Sequence, residues 1–423
     1  MNDDLTELEH LSKLLAIEKQ KDFEQFRAFV QSLPLSERVS EGYAWYPVQV
    51  AKSGYTYGER AYVTLERTKK TELQHQFRAG QPVRFFTNSD EVTKPEKSGV
   101  IHSLTRKRMK VILSSKDLPD WLTAGSLGVD LEFDERTYRE MEKALKKTKE
   151  AKGNRLAELR RIILGEQPAQ FAKLPEVQLA QLNEPQNAAV NQILAAEDVA
   201  VVHGPPGTGK TTTLVQAVKQ LCLVENTVLV CAPSNTATDL LTERLADEGL
   251  RVLRIGNISR VDEKIVQHTL EAQIAAHPDS KTIKKVRQEA VETRRKAMKF
   301  KRRFGGEERR GRGEMFREAG QLSGWARRLE EQLLERLLDG AQVITCTLVG
   351  SANKVLGNRR FRTVVIDEAA QALEPATWIP IARCSKVVLA GDPFQLPPTV
   401  KSNEARRGGF GITMIEKCLK RLE

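Results

Sequence analysis

The segment GPPGTGKT, residues Gly204–Thr211, decides the fold because of its place in the surrounding pattern. It follows the apolar run Val199–His203, which predicts a strand, and it precedes a helical pattern. Glycines in such a turn let backbone N–H groups surround a β-phosphate, and the N-terminus of the next helix adds a favourable dipole. The residues that we expect to bind a nucleotide through this turn are Gly204, Pro205, Gly207, Thr208, Gly209, Lys210, Thr211 and Thr212.

Lys210 and Thr211 carry the most specific chemistry of this turn. In loops with this spacing, the lysine reaches the β- and γ-phosphates of a nucleoside triphosphate and the hydroxyl residue ligates Mg²⁺. The sequence therefore predicts a site for ATP and Mg²⁺, with Lys210 as a catalytic residue and Thr211 as a metal ligand. The alternative is a glycine-rich turn that binds no ligand.

A second apolar run, Val364–Ile366, ends in the two acids Asp367 and Glu368. Ligands of open parallel sheets bind at the carboxyl ends of the strands, so we expect both carboxylates at the nucleotide site. Asp367 would hold Mg²⁺ through its water shell, and Glu368 would orient and deprotonate the attacking water. The alternative is an acid pair that only stabilises a helix N-terminus.

Strand and helix patterns alternate from about Leu182 onward, which predicts an α/β fold with a mostly parallel sheet covered on both faces. A basic segment, residues 263–337, interrupts the alternation as a helical insertion, with a turn expected at Arg303–Gly306. The predicted strands are Val199–His203, Thr227–Cys231, Arg251–Ile255, Gln342–Thr345, Arg362–Ile366 and Lys386–Leu389.

The first 167 residues have a different texture. Apolar residues at three- and four-residue spacing predict an N-terminal helix within residues 1–37, ending before Pro34. Short apolar runs broken by Gly, Pro and Asn predict a small β-barrel over residues 38–133. A second long helix, Asp134–Leu164, is expected within residues 134–167.

Charge and composition narrow the possible partners. The 423-residue chain has a formal net charge of +11, and the stretch Lys281–Arg317 alone carries 15 basic residues against 5 acidic ones. Such a run is either a solvated helical face or a surface for a polyanion. No apolar run approaches the roughly 20 residues of a membrane span, so no membrane partner is expected. The five cysteines include no C-x-x-C pair, which favours a reducing compartment, the cytoplasm or, in a eukaryote, the nucleus.

Three further segments, together with the two described above, resemble the superfamily 1 helicases that move 5′→3′. They are Leu182–Val190 (LNEPQNAAV), Ala232–Asp239 (APSNTATD) and Gly391–Pro398 (GDPFQLPP). The closest resemblance is to the immunoglobulin mu-binding and nonsense-mediated-decay helicases, and it covers nearly the whole chain. It implies a RecA-like P-loop domain over residues 168–262 and 338–423, a small β-barrel inserted on a helical stalk, and the basic helical insertion at residues 263–337.

The resemblance also implies roles for individual residues. Gln186 would read the adenine edge, and Gln395, in a loop supported by Asp392, would sense the γ-phosphate as a catalytic residue. Contacts to single-stranded DNA or RNA are expected from Pro233, Ser234, Asn235, Thr236, Thr345 and Thr347. Taken singly, each of these residues could equally be an ordinary loop cap.

The resemblance further leads us to expect a second RecA-like domain, which would close the cleft and supply arginines to the transition state. Only 25 residues follow Pro398, so we expect weak hydrolysis by this chain on its own. The rest of a longer protein or a second chain would complement it. We also expect the chain to be monomeric. Two other functions stay open at this point. One is a nucleic-acid-binding module whose nucleotide site acts as a switch or is vestigial, and the other is a small-molecule kinase or ring-forming ATPase.

Overall fold

A computed structural model describes residues 3–55, 61–69, 71–89, 96–113, 118–123, 125–256, 263–298 and 306–422. The chain starts with helix α1 (Asp3–Phe26), which continues into a π-helical turn (Arg27–Gln31) and is followed by the short helix α2 (Leu35–Ser40). The helix therefore ends before Pro34, as predicted. Its apolar side chains at three- and four-residue spacing are buried: Leu8, Leu11, Leu14 and Leu15.

A closed antiparallel barrel follows, which confirms the small β-barrel. Around the barrel the strands are ordered β1-β2-β5-β4-β3-β6. Burial alternates along β2, where Ala61, Val63 and Leu65 point inward with Trp45 of β1. The strands are β1 (Ala44–Tyr55), β2 (Ala61–Arg67), β3 (Pro82–Thr87), β4 (Glu96–Leu104), β5 (Arg108–Leu113) and β6 (Leu127–Leu131).

The single helix predicted over Asp134–Leu164 was wrong, because the chain forms α3 (Glu135–Glu150) and α4 (Arg155–Ile163) instead. Between them Gly153 adopts a left-handed conformation (φ +60°), and the Asn154 side chain accepts the Ala157 N–H at 3.1 Å as the cap of α4. The buried Arg160 donates to the Thr148 and Ala151 carbonyls at 2.8 and 3.2 Å. These bonds satisfy the C-terminal carbonyls of α3 and fold α4 back against it.

All strand pairings described in the second half of the chain are parallel, as predicted. The order in the sheet is β7-β12-β11-β8-β10-β9. Alternate residues of β8 lie in two separate hydrophobic cores, Leu229 in one and Val230 in the other, so both faces are covered. The strands are β7 (Val199–His203), β8 (Val228–Ala232), β9 (Val252–Ile255), β10 (Val343–Thr347), β11 (Phe361–Ile366) and β12 (Cys384–Gly391).

Helices cover the two faces of this sheet. On one face lie α5 (Glu184–Ala195), α6 (Lys210–Leu221) and α7 (Asn235–Asp247), which share a core with Val230. Between β9 and β10 the chain forms α8 (Leu270–Ala276), α9 (Asp279–Met298) and α10 (Gly306–Gly340), as expected for the basic segment. The turn predicted at Arg303–Gly306 lies outside the described residues except for Gly306, where α10 begins. None of the helices in the described ranges is long and apolar enough to cross a bilayer.

The other face is covered jointly by the first and last helices of the chain. After α11 (Glu374–Ile381) come α12 (Asn403–Arg407) and α13 (Met414–Arg421). The buried Glu18 carboxylate of α1 accepts the backbone N–H groups of Lys401 and Ser402 at 2.7 and 2.8 Å. Glu7 pairs with Lys417 of α13 at 2.6 Å. Residues from the two ends of the sequence thus form one packed unit.

Candidate functional site

The segments predicted from the sequence to bind a nucleotide or a nucleic-acid strand follow parallel strands that end at one edge of the sheet. Gly204 follows β7, Pro233 follows β8, Asp367 follows β11, and Asp392 follows β12. Because these strands are parallel, their carboxyl ends lie side by side. The edge therefore combines segments that are up to about 190 residues apart in sequence.

The backbone of the Gly204–Thr211 turn has the shape that its glycines permit. Gly207 and Gly209 lie in the left-handed region, with φ of +81° and +77°. The Gly204 N–H donates to the Gly391 carbonyl at 3.3 Å, which ties the turn to the end of β12. Lys210 begins helix α6, whose first turn contains the half-buried Thr211 and the exposed Thr212. The turn thus places a helix N-terminus at the sheet edge.

Lys210 and the acid pair lie within contact distance of each other. The Lys210 Nζ is 3.5 Å from Glu368 Oε1, and the Lys210 side chain is only 8% exposed. Asp367 is buried, and one of its carboxylate oxygens accepts the Glu368 N–H at 2.8 Å. Burial raises the pKa of Asp367 to about 6. The structure therefore brings together Lys210, Asp367 and Glu368, three of the residues predicted for phosphate and metal chemistry.

Glu368 has an unusual backbone conformation. Its φ is +53°, and within the described ranges it is the one non-glycine residue with a positive φ. Such a conformation costs on the order of 1–3 kcal/mol and tends to persist where it serves a function. Here it directs the carboxylate between Lys210 and Gln371, whose side-chain amide donates to Glu368 Oε2 at 3.3 Å. Nothing in the sequence predicted this strain.

Gln186 lies against the phosphate-loop turn. Its side chain forms a capping box with Asn183 at the start of α5, and its Nε2 donates to the Thr208 carbonyl at 2.9 Å. A Cβ atom on Gly209 would lie 2.5 Å from that Nε2. Glycine at position 209 therefore serves both the left-handed turn and the close approach of Gln186.

Asp392 organises the loop after β12, as the sequence suggested. Its carboxylate accepts the Phe394 N–H at 3.0 Å and the Gln395 Nε2 at 3.1 Å. The Phe394 N–H, more than any other contact, lowers the pKa of this carboxyl below its ordinary value. His203 also contacts Asp392, at 3.3 Å, and it was not among the predicted residues. Its place directly before Gly204 is the sequence signal that could have revealed it.

The residues predicted to contact a nucleic-acid strand differ in their exposure to solvent. Ser234 and Thr236 are exposed at the start of α7, and Pro233 and Asn235 are half-buried there. Thr347 is half-buried at the end of β10, where its hydroxyl accepts the Gly350 N–H at 3.0 Å.

Thr345 requires a correction. Its side chain is fully buried, and its hydroxyl lies 2.7 Å from that of Thr242 on α7. Both faces of the sheet are covered, so the Thr345 side chain, inside β10, offers no surface to a nucleic-acid strand. Of this pair of threonines in β10, Thr347 at the strand end is the more accessible.

Known proteins match this chain over most of its length. Residues 181–403, more than half of the chain, match a family model described as an AAA domain. The chain belongs to this family. The hamster (Mesocricetus auratus) DNA-binding protein SMUBP-2 is 30% identical over 97% of the chain. The DNA polymerase alpha-associated DNA helicase A of Schizosaccharomyces pombe is 35% identical over 57% of it. A Neurospora crassa homologue of regulator of nonsense transcripts 1 is 32% identical over 57%.

These relatives place the chain among the superfamily 1 helicases, in the immunoglobulin mu-binding and nonsense-mediated-decay group. The match to SMUBP-2 includes the helices and barrel in the first 167 residues of this chain. The AAA-domain match starts only at residue 181. The chain spans 42% of the length of the hamster protein, 35% of the Schizosaccharomyces protein and 20% of the Neurospora protein.

P-loop NTPases bind Mg²⁺ together with their nucleotide, and the residues present fit that ion. Thr211 and Asp367 offer the hard oxygen donors that Mg²⁺ prefers. Two carboxylates lie next to each other at the strand end, and one is buried enough for its pKa to rise. A divalent cation would relieve this accumulation of negative charge.

Proposed function

We propose that this chain forms the N-terminal part of an ATP-dependent superfamily 1 helicase or translocase that acts on single-stranded DNA or RNA. The observation that carries the proposal is the meeting of Lys210 with the acid pair Asp367–Glu368 beside the phosphate-loop turn. The strained backbone of Glu368 adds to this support, because it costs stability and yet aims the carboxylate into the site. Movement in the 5′→3′ direction is proposed from the family resemblance.

In this proposal ATP binds with its phosphates in the turn Gly204–Thr211. The phosphate oxygens replace Glu368 as the partner of Lys210, whose charge stabilises the transferring phosphoryl group. Release from Lys210 leaves the Glu368 carboxylate able to orient a water molecule and accept its proton. Mg²⁺ held by Thr211 and Asp367 would neutralise charge on the phosphates. Gln395 and Asp392 form the loop that detects the γ-phosphate, and Gln186 borders the adenine.

A nucleic-acid strand is proposed to cross the same sheet edge at Pro233, Ser234, Asn235, Thr236 and Thr347. Hydroxyl and amide groups at a helix N-terminus suit contacts to a phosphate backbone that carry no sequence information. The exposed cations of α9, among them Arg294 and Arg295, are proposed to extend this surface. We accordingly divide the chain into the stalk (1–37 and 134–167), the barrel (38–133), the RecA-like P-loop domain (168–262 and 338–423) and the basic insertion (263–337).

Hydrolysis by these 423 residues alone is proposed to be slow. Lys210 is the cation that the described residues place against Glu368. In related P-loop enzymes an additional arginine at the transferring phosphate is worth roughly 10³–10⁵ in rate. An arginine from a second RecA-like domain would supply this contribution.

The test is to measure binding of a fluorescent ATP analogue and ATP turnover by the chain, with and without single-stranded DNA or RNA. We expect Mg²⁺-dependent nucleotide binding, binding of a single strand, and slow turnover. ATP should also change the affinity for the strand, and Glu368→Gln should alter that change. A chain that binds strands with no response to ATP would be a nucleic-acid-binding module. Nucleotide binding without any strand binding at low salt would favour a kinase or ring-forming ATPase.

A further inference from the structure

Arg254, near the end of β9, lies fully buried beneath the start of helix α7. Its guanidinium donates to Asp239 Oδ1 through Nε at 2.9 Å and to Asn235 Oδ1 through Nη2 at 3.0 Å. Its Nη1 donates to the Ile255 carbonyl at 2.6 Å. Asn235 and Asp239 are four residues apart on α7, so they share one side of the helix and one arginine holds both.

The contact with Arg254 determines which way the Asn235 amide points. A guanidinium carries donors only, so it accepts nothing from an amide and must meet the carbonyl oxygen. The Asn235 Nδ2 group, which has two N–H donors, is therefore turned away from Arg254. In the described part of the chain this Nδ2 has no hydrogen-bond partner. The neighbouring Ser234 hydroxyl is already used, because it accepts the Ala237 N–H at 3.1 Å.

We propose that Arg254 is a positioning residue for strand binding, which fixes the Asn235 amide with its N–H donors toward a phosphate of the nucleic acid. The inference rests on the strand contact proposed above for Asn235. Without Arg254 the amide could rotate, and its carbonyl oxygen would then face the anionic backbone for part of the time. Asp239 neutralises the buried guanidinium and holds it in place.

A purely structural role for Arg254 makes a different prediction. If the arginine only joined β9 to α7, its replacement would lower stability and would affect strand binding independently of Asn235. If it acts through Asn235, the two side chains behave as one unit. Once Asn235 has been replaced, replacing Arg254 should then weaken strand binding no further. A double-mutant cycle separates these roles.

The experiment measures the affinity of the full chain for a fluorescein-labelled oligo-dT or oligo-U by anisotropy across a salt series. The variants are Asn235→Ala, Arg254→Lys and the double variant. Lysine keeps the buried charge beside Asp239 but lacks the planar fork that reaches both partners. Each single change should weaken strand binding about 3- to 10-fold, the size of one hydrogen bond. The double variant should bind like Asn235→Ala alone. The salt dependence should stay as in the wild type, because no cation is removed from a phosphate.

Asn235→Asp sharpens the test, because it keeps the shape of the side chain but places an oxygen where the N–H donors were. It should weaken strand binding more than Asn235→Ala does. The matched control is Arg160→Lys, the same change at another buried arginine, which lies on α4 and donates to carbonyls at the end of α3. It should lower the melting temperature and leave strand affinity unchanged. In every variant, binding of the fluorescent ATP analogue should stay at the wild-type level.

The inference is overturned if Arg254→Lys weakens binding equally in the wild-type and Asn235→Ala backgrounds. It is also overturned if Asn235→Asp binds strands as tightly as the wild type. Both results presuppose a wild-type chain that binds strands. Absence of strand binding by the wild type would instead contradict the proposed function, so the two failures can be told apart.

Discussion

Two regions of this molecule concentrate charged residues, and they do so in opposite ways. At the carboxyl edge of the sheet, Lys210, Asp367 and Glu368 come from distant segments, are largely withdrawn from solvent and contact one another. On α9 several basic residues are adjacent in sequence and exposed, as at Arg294 and Arg295. The comparison teaches that the number of charges indicates only a general attraction for polyanions. Charged side chains that are buried and converge from separate segments indicate a catalytic site.

The largest expected effect is at the sheet edge. Glu368→Gln keeps the size of the side chain but removes its ability to accept a proton, so single-turnover release of phosphate from radiolabelled ATP should fall about 10²- to 10⁴-fold. Affinity for the fluorescent ATP analogue should be retained. Glu150→Gln, at the exposed C-terminal end of α3, is the control and should hydrolyse ATP like the wild type. Unchanged hydrolysis in Glu368→Gln would remove the main distinction between the two regions.

The second-largest effect is expected at Lys210, which we compare with Lys219 on the same helix. Lys210→Ala should slow phosphate release by about 10²- to 10³-fold, because it removes a preorganised charge from the transferring phosphate. Lys219→Ala is the matched control. Lys219 also lies on α6, but it pairs with Glu248 at 2.7 Å and is partly exposed. We expect that variant to resemble the wild type in phosphate release and nucleotide affinity. Equal losses in both variants would point to damage to α6 and not to a specific role of Lys210.

A smaller effect is expected in the basic insertion. Arg294→Glu with Arg295→Glu should weaken binding of a single-stranded oligonucleotide about tenfold at low salt. The slope of log affinity against log salt should become shallower by about 0.7 for each phosphate that the protein no longer neutralises. Both side chains are exposed, so the melting temperature should change little. Reversal of the exposed Lys13 and Lys21 on α1 provides the control. A salt slope equal to that of the wild type would mean that the run is a solvated helical face.

The smallest effect is expected at Thr345. Thr345→Val should leave strand affinity unchanged, since the hydroxyl is buried against Thr242. The free energy of unfolding should fall by no more than about 1.5 kcal/mol, the usual range for one hydrogen bond. Thr242 still donates to the Thr238 carbonyl at 2.8 Å, so no buried donor is stranded. Denaturant unfolding and strand anisotropy measure the two quantities. A specific loss of strand affinity would restore the role first predicted for Thr345.

The sequence predicted the strands of the parallel sheet to within two residues at either end, because each is a short apolar run bounded by turn signals. Their burial on both faces of the sheet suppresses the alternation of apolar and polar residues. The phosphate-loop turn could be predicted equally well from the sequence, because its glycines and Lys210 have a fixed spacing. The break between α3 and α4 was missed although Gly153 and Asn154 are turn residues, because the charged helical pattern continues on both sides.

Other features leave no trace in a single sequence. Arg254 and His203 act through contacts with Asn235 and Asp392, and only the folded chain brings these pairs together. The positive φ of Glu368 is a backbone property that its residue type disfavours. The burial of Thr345 follows from its position within β10, two residues before the half-buried strand end at Thr347.

The joint packing of α1 with the segment after β12 has a consequence for how the chain reaches this structure. Glu18 and Glu7 find their partners at Ser402 and Lys417, about 400 residues later in the sequence. At synthesis rates of about 5–20 residues per second, these partners are synthesised on the order of tens of seconds after α1. During that time it can pack on α3, but the carboxylate of Glu18 lacks the two N–H groups that accommodate its burial. Contacts of such long sequence separation close last and slow the final folding step.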